Sequence, residues 1–210
     1  GFNYWLSHGG IGSSNIAEAG GFAPSSARPD LRPDIQMHFV PAQLDDHGRN
    51  QLPGYGYTVH ACYLHPRSRG TIRLQSRDAE QYPAIDPCYL SDPADQAGMI
   101  EAARMAREIL AAPAFADYRG HEIFPGEDVE RDAEMLEFIR RKAETIYHPV
   151  GTCKMGSQSD AEAVVDPELR VHGLDGLRVV DASIMPKLTS GNTNAPVIAI
   201  AEKIADMMLS

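Results

Sequence analysis

The sequence predicts an α+β protein in which an antiparallel sheet precedes its helices and a different kind of unit closes the chain. Three observations point there. Short runs of alternating apolar and polar residues recur before residue 77. Two later stretches carry an apolar stripe at helical spacing. The segment from residue 177 onward then passes from a short apolar run into a helix that is apolar nearly all round. Strands followed by helices read as α+β, whereas a single strand–loop–buried helix is half of an α/β unit.

The elements follow in order. Residues 7–33, "SHGGIGSSNIAEAGGFAPSSARPDLRP", are rich in Gly, Ser, Asn and Pro and predict loops around one short strand near Ala17–Phe22. "DIQMHFV" (34–40) sets Ile35, Met37 and Phe39 against Gln36, His38 and Val40, the pattern of a half-buried strand. "GYTVHACYL" (56–64) and "GTIRLQS" (70–76) read as two further strands across the polar "HPRSRG". So short a link carries no crossover, so the two are expected to pair antiparallel.

A helix is announced by "SDP" (91–93), with Asp92 as cap and Pro93 at the first helical position. Met99, Ala103, Ala106 and Leu110 form its stripe. A second helix is expected from Asp132 to Ile146, with Met135, Ile139, Ala143 and Ile146 inward. "LRVVDAS" (177–183) reads as a strand, and "NAPVIAIAEKIADMML" (194–209) as a helix whose Pro196 sits where a first turn tolerates it. One such unit cannot cover a parallel sheet by itself, so it is expected to complete a sheet built from residues outside this chain.

Composition narrows the function. The 210 residues are 43% hydrophobic and 23% charged, ordinary for a globular protein. A net charge of −10 argues against nucleic acid and against anionic membrane surfaces as partners. No apolar run approaches the roughly 20 residues that span a bilayer. Cys62, Cys88 and Cys153 are widely spaced without a CxxC pair, which predicts neither disulfide framework nor zinc site and points to a reducing, cytoplasmic setting.

Chemistry concentrates in "YHPVGTCKMG" (147–156). Pro149 pushes His148 toward extended geometry, and Gly151 and Gly156 bracket a tight loop that can aim the imidazole into a cleft. A buried histidine bonded to a backbone carbonyl is the plainer alternative. Cys153 as a nucleophile needs a base and a lowered pKa, and packing explains it better. Lys154 reads as a solvated or ion-paired charge. No metal site is expected, because His148 and Cys153 lack further ligands at suitable spacing. In "SGNTNAP" (190–196) Asn192 and Asn194 can bond a ligand beside a helix N-terminus, with an Asn194 N-cap as the alternative. Asp181 ends a predicted strand, where open α/β sheets keep their ligand crevice, or else serves a turn.

Together these stretches resemble the C-terminal part of the glucose–methanol–choline (GMC) oxidoreductases, in their choline dehydrogenase and alcohol dehydrogenase branch. The resemblance rests on "NIAEAGGF", "RPDIQMHFVP", "LHPRSRGTIRLQS", "AIDPCYLSDPAD", "YHPVGTCKMG", "DPELRVHGLDGLRVVDASIMP" and "SGNTNAPVIAIAEKIADMML", in family order. It implies a substrate-binding domain over residues 1–176, an antiparallel sheet of about six strands with helices on one side. Residues 177–210 would then be the last strand and helix of a Rossmann-like FAD-binding domain. No GxGxxG fingerprint occurs in the chain, so most of that domain is expected to lie outside it.

The resemblance also assigns roles. His148 matches the histidine that takes the proton of the substrate alcohol while hydride passes to flavin N5, and Asn192 matches the second catalytic position. Asp181, Ala182, Asn192, Thr193 and Asn194 match segments lying against FAD. Glu18 matches a glutamate that contacts the cationic head in choline-acting members, with an ion-paired carboxylate as the preferred alternative. Cys88 stands where the family more often has Asn, a departure expected to touch local packing only. The partners implied are an alcohol, the absent N-terminal FAD domain and an electron acceptor that the sequence does not name. The chain alone is expected neither to bind FAD tightly nor to catalyse. Two alternatives remain open: a non-redox, hydroxynitrile lyase-like activity, and a non-catalytic binding or assembly module. The apolar helix 196–209 would favour self-association, and peripheral contact with the inner membrane is the variant location.

Overall fold

Ile35 and Met37 share one face of a strand, and what they pack against organises the first part of the molecule. In the computed structural model, which describes residues 2–9 and 13–209, a short helix α1 (Phe2–Ser7) precedes strands β1 (Ala19–Ala23), β2 (Ile35–Val40) and β3 (Thr58–Tyr63). β2 lies between β1 and β3, antiparallel to both, with Met37 opposite Gly21 and Ala61. Helix α2 (Pro93–Ala111) brings Ala102 onto Ile35 and Met37, with Val59, Ala61, Tyr63 and Met105 around them. Burying each large apolar side chain is worth about 1.5–3 kcal/mol. Gln36 and Val40, on the other face, are buried too, so β2 is covered on both sides where alternation predicted a half-buried strand.

Polar groups close this unit, which comprises the residues up to Tyr63 together with Gln96–Glu144. Asp34 is fully buried, and its carboxylate accepts from Ser25 N at 2.6 Å and Ser25 Oγ at 2.7 Å. Glu101 accepts from Ser26 N and Ser26 Oγ in the same way. Helix α3 (Asp132–Lys142) starts where expected and buries Met135 and Ile139. It stops at Lys142, short of the expected Ile146, because Ala143 turns extended. Lys142 and Glu144 instead engage Asp45 and His47 of the 45–47 loop, which leaves Ala143 and Ile146 exposed.

The second unit, Leu64–Asp95 with the residues from Thr145 onward, is less regular. Strands β4 (Thr71–Arg73) and β5 (Ala84–Asp86) pair only with each other. The expected pairing of 56–64 with 70–76 is therefore replaced by β4–β5. The intervening segment does not form a hairpin turn, because Asp95 captures its backbone, accepting from Arg67 N at 2.7 Å and Ser68 N at 2.8 Å. Val165, Leu169, Ile184 and Ile204 make the core here, the last from helix α4 (Asn194–Leu209).

Two further expectations are corrected. Five strands in two sheets, not about six in one, occur among the described residues. The strand expected over 177–183 is reduced to one bridge, Arg178 to Arg170, followed by a 3₁₀ turn at Ala182–Ile184. Among the described residues its apolar side chains have no neighbouring strand to extend against. α4 likewise buries only Ile204, and Ile198 is 54% exposed. Among the described residues no helix is long and apolar enough to cross a membrane.

Candidate active site

Backbone rules place His148. Tyr147 adopts a left-handed φ of 63°, with its N–H donated to Thr145 Oγ1 at 3.0 Å. Gly151, at φ 88°, then turns the chain where any side chain would be strained. Beyond it, Cys153 N donates to Ser183 O at 3.0 Å and Met155 N to Ile184 O at 2.8 Å. These two bonds run "TCKM" alongside "ASIM", and the loop that leaves Met185 carries Ser190, Asn192 and Thr193 to α4.

The imidazole of His148 meets that loop at both nitrogens. Asn192 Nδ2 lies 2.7 Å from Nε2, and Thr193 Oγ1 lies 3.0 Å from Nδ1. Thr193 is 7% exposed and caps α4, its carbonyl accepting from Val197 N at 3.0 Å. His148 is half-buried and Asn192 exposed. One side of the ring is thus fixed to protein while the other faces an amide that solvent reaches. One loop residue earlier than Gly191, Ser190 Oγ stands 3.2 Å from His65 Nε2.

The remaining candidates fall as follows. Asn194 is the exposed first residue of α4, so the cap position considered for it belongs to Thr193. Asp181 is exposed and caps its own 3₁₀ turn, accepting from Ser183 N at 2.8 Å and from Ser183 Oγ; Ala182 begins that turn. Glu18 is exposed just before β1, in the other unit. Cys153 is half-buried and held by its backbone. Lys154 lies between Asp160 Oδ2 at 2.8 Å and Glu162 Oε2 at 3.2 Å. Those hydrogen bonds raise its pKa above the ordinary lysine value and lower that of Asp160, so Lys154 keeps its proton near neutrality.

Sequence reasoning missed the Thr193 contact and His65. Each had a signal: His65–Pro66 repeats the His–Pro step of His148–Pro149, and Pro196 removes a donor that a Thr193 cap would otherwise serve.

A flavin needs hydrogen-bonding groups along its ring edge and an apolar bed. The exposed Asn192 and Asn194 amides, the free N–H groups of the first turn of α4, and exposed Ile198 fit that demand. The Asp181 carboxylate fits less well, being engaged by Ser183.

The chain belongs to the GMC oxidoreductase family, whose C-terminal model matches residues 66–201. Among its relatives, an alcohol dehydrogenase [acceptor] of Pseudomonas putida is 52% identical over 208 residues, 99% of this chain and 37% of that protein. Oxygen-dependent choline dehydrogenase 1 of Chromohalobacter salexigens is 49% identical over 96% of the chain, which covers 36% of that protein. The chain therefore spans just over a third of the length of the curated relatives it matches. Among solved structures, pyridoxine 4-oxidase from Mesorbium loti superposes with a TM-score of 0.77 at 38% identity, over 84% of this chain and 34% of its own. An Aspergillus oryzae formate oxidase variant reaches 0.85 at 27% identity, over 98% and 40%.

Proposed function

We propose that this chain is the substrate-binding and catalytic part of an FAD-dependent alcohol dehydrogenase, with His148 as the base that takes the hydroxyl proton. The observation that carries this reading is the meeting of His148 with Asn192 at 2.7 Å, two residues 44 positions apart in sequence. Bound FAD would supply the hydride acceptor. A substrate hydroxyl entering beside Asn192 would have one nitrogen of His148 to receive its proton and an amide to orient its oxygen. As an amide, Asn192 exchanges no proton, so the proton rests on the imidazole. Asn194 and the start of α4 would hold the ring edge, with Asp181 and Ala182 toward the rest of the cofactor. Glu18 is the residue to examine for a cationic substrate.

The division at residue 176 belongs to the same proposal, supported by the single-bridge 177–183 segment and the exposed apolar face of α4. Both suit docking into the rest of an FAD domain, and the isolated chain would bind FAD weakly. The free cysteines Cys62, Cys88 and Cys153 support a reducing, cytoplasmic location.

The test is stopped-flow reduction of the flavin by alcohols in a protein of the relatives' full length. His148→Ala is expected to slow reduction by about 10²–10⁴, the usual contribution of a positioned base. Reduction within about tenfold of wild type would remove His148 from that role.

A further inference from the structure

We infer that Thr193 is a positioning residue that fixes the tautomer of His148, a role beyond the cofactor contact its sequence position suggests. The inference rests on His148 being the base. With the amide nitrogen of Asn192 donating to Nε2 at 2.7 Å, Nε2 is an acceptor and carries no proton. The ring proton is then on Nδ1, which donates to Thr193 Oγ1 at 3.0 Å. The Asn192 contact selects the neutral Nδ1–H tautomer, the less favoured one for a free imidazole. The Thr193 hydroxyl, which can accept or donate, stands where it accepts that proton. That form puts the Nε2 lone pair on the side where Asn192 is exposed, and a substrate hydroxyl would take the place of the Asn192 amide on it.

Three features fit Thr193 to this task. Its backbone is fixed as the cap of α4, and its β-branched side chain has restricted χ1. It is nearly fully buried, so water does not compete well for the hydroxyl. An N-cap threonine ordinarily turns its oxygen to the second or third N–H of the helix, but the third residue of α4 is Pro196, which has none. The "TNAP" sequence thereby weakens the local claim on the hydroxyl and leaves it for His148.

During the reaction the substrate O–H bond would break and an Nε2–H bond form, giving an imidazolium with two N–H groups. The Nδ1–H keeps its acceptor in Thr193 throughout. Exposed Asn192, displaced from Nε2 by the hydroxyl, would bond the substrate oxygen, which the new N–H faces.

The test is ¹H–¹⁵N NMR of the full chain with ¹⁵N-labelled histidine, His148 being assigned by the signal lost in His148→Gln. With the ring neutral, wild type is expected to show the Nδ1–H pattern. Thr193→Val is expected to shift His148 mainly to Nε2–H, and Thr193→Ser to restore Nδ1–H. In the flavin-loaded full-length protein, Thr193→Val should lower kcat by about 10- to 100-fold with KM changed less, a fraction of the roughly 10²–10⁴ of the base itself, and Thr193→Ser should recover most of it. An Nε2–H pattern in wild type would overturn the inference even if the valine variant failed to fold. So would a valine variant that lost activity while keeping Nδ1–H. A His148→Ala protein of near-normal activity would instead sink the base reading and leave the tautomer result standing.

Discussion

The two units of this chain use the same fastening in opposite settings. In the sheet unit, Asp34 binds Ser25 where β1 and β2 are already joined by a full ladder. In the other, Asp95 binds Arg67 N, Ser68 N and Ser68 Oγ along a segment with no ladder at all. Regular hydrogen bonding makes the first carboxylate a reinforcement, whereas the second takes the place of missing secondary structure. His148, Asn192 and Thr193 all lie in the irregular unit, held by single bonds such as Cys153 N to Ser183 O. Loop segments fastened one bond at a time can aim side chains at one point, which a pleated strand with fixed alternation does less freely.

The largest effect should come from removing the buried fastening. Asp34→Ala leaves the N–H and hydroxyl of Ser25 without an acceptor in a buried site and should cost about 2–5 kcal/mol. Asp95 is buried as well, but its donors are only partly so, and Asp95→Ala should cost less, about 1–3 kcal/mol. Urea unfolding gives the totals, and native-state hydrogen exchange locates them. Asp34→Ala should lower protection in β1 and β2, and Asp95→Ala in residues 64–72. Equal losses over both units in both variants would mean that the two cooperate as one, and the contrast would be lost.

Gly98 sharpens the picture of the sheet unit. By helix propensity Gly→Ala in the middle of α2 should stabilise by roughly 0.5–1 kcal/mol. A Cβ at residue 98 would nevertheless lie 2.8 Å from Tyr63 Cδ2, closer than such contacts occur. Overpacking of that kind costs about 1–3 kcal/mol. Gly98→Ala is therefore expected to lower the urea midpoint, and a raised midpoint would show that Tyr63 has room to move.

These contrasts also explain what was legible in the sequence. The start of α2 was, because its cap is local, Asp92 Oδ1 accepting Ala94 N at 2.8 Å. α3 was legible from its apolar stripe, while the reach of Glu134 back to Arg131 N was not read. β2 was legible from Ile35 and Met37, although its second covered face was not. β5 was missed because Pro83 and Pro87 bracket its three residues, too few to show a period, whereas the equally short β4 lies inside the longer alternating run 70–76. The strand over 177–183 was over-read because its apolar residues promise a sheet that needs neighbours. At the site, His148 and Asn192 could be named through the resemblance. The Thr193–His148 bond spans 45 residues and depends on how the loop after Met185 lands, which no local rule encodes.

Cys88 shows a departure whose meaning came only from the backbone. It was expected to affect packing, yet it is exposed with a left-handed φ of 51°. Asn tolerates that region better than other residues with a Cβ apart from Asp. Cys88→Asn should therefore stabilise the site unit by about 0.5–1 kcal/mol, read as a raised urea midpoint. An unchanged midpoint would mean the turn that Asp86 closes on Cys88 N already absorbs the strain.

The smallest expected effect is a change in pH slope, and it bears on the sheet unit alone. His60 is exposed on β3, but partial desolvation there still lowers its pKa below its ordinary 6.5, offset in part by Glu144 and reinforced by His38, its cross-strand partner, and His47. The folded protein therefore resists protonating His60 at a pH where the unfolded chain accepts the proton. Between about 6.5 and the lower folded value the unfolded state binds more protons, so stability falls as pH falls. His60→Gln removes this contribution and should flatten the stability curve between neutrality and mild acid, with no change at higher pH. Parallel curves for wild type and variant would mean that the imidazole is protonated equally in both states. The partial desolvation of His60 would then carry no electrostatic consequence, and the two units would differ in regularity only.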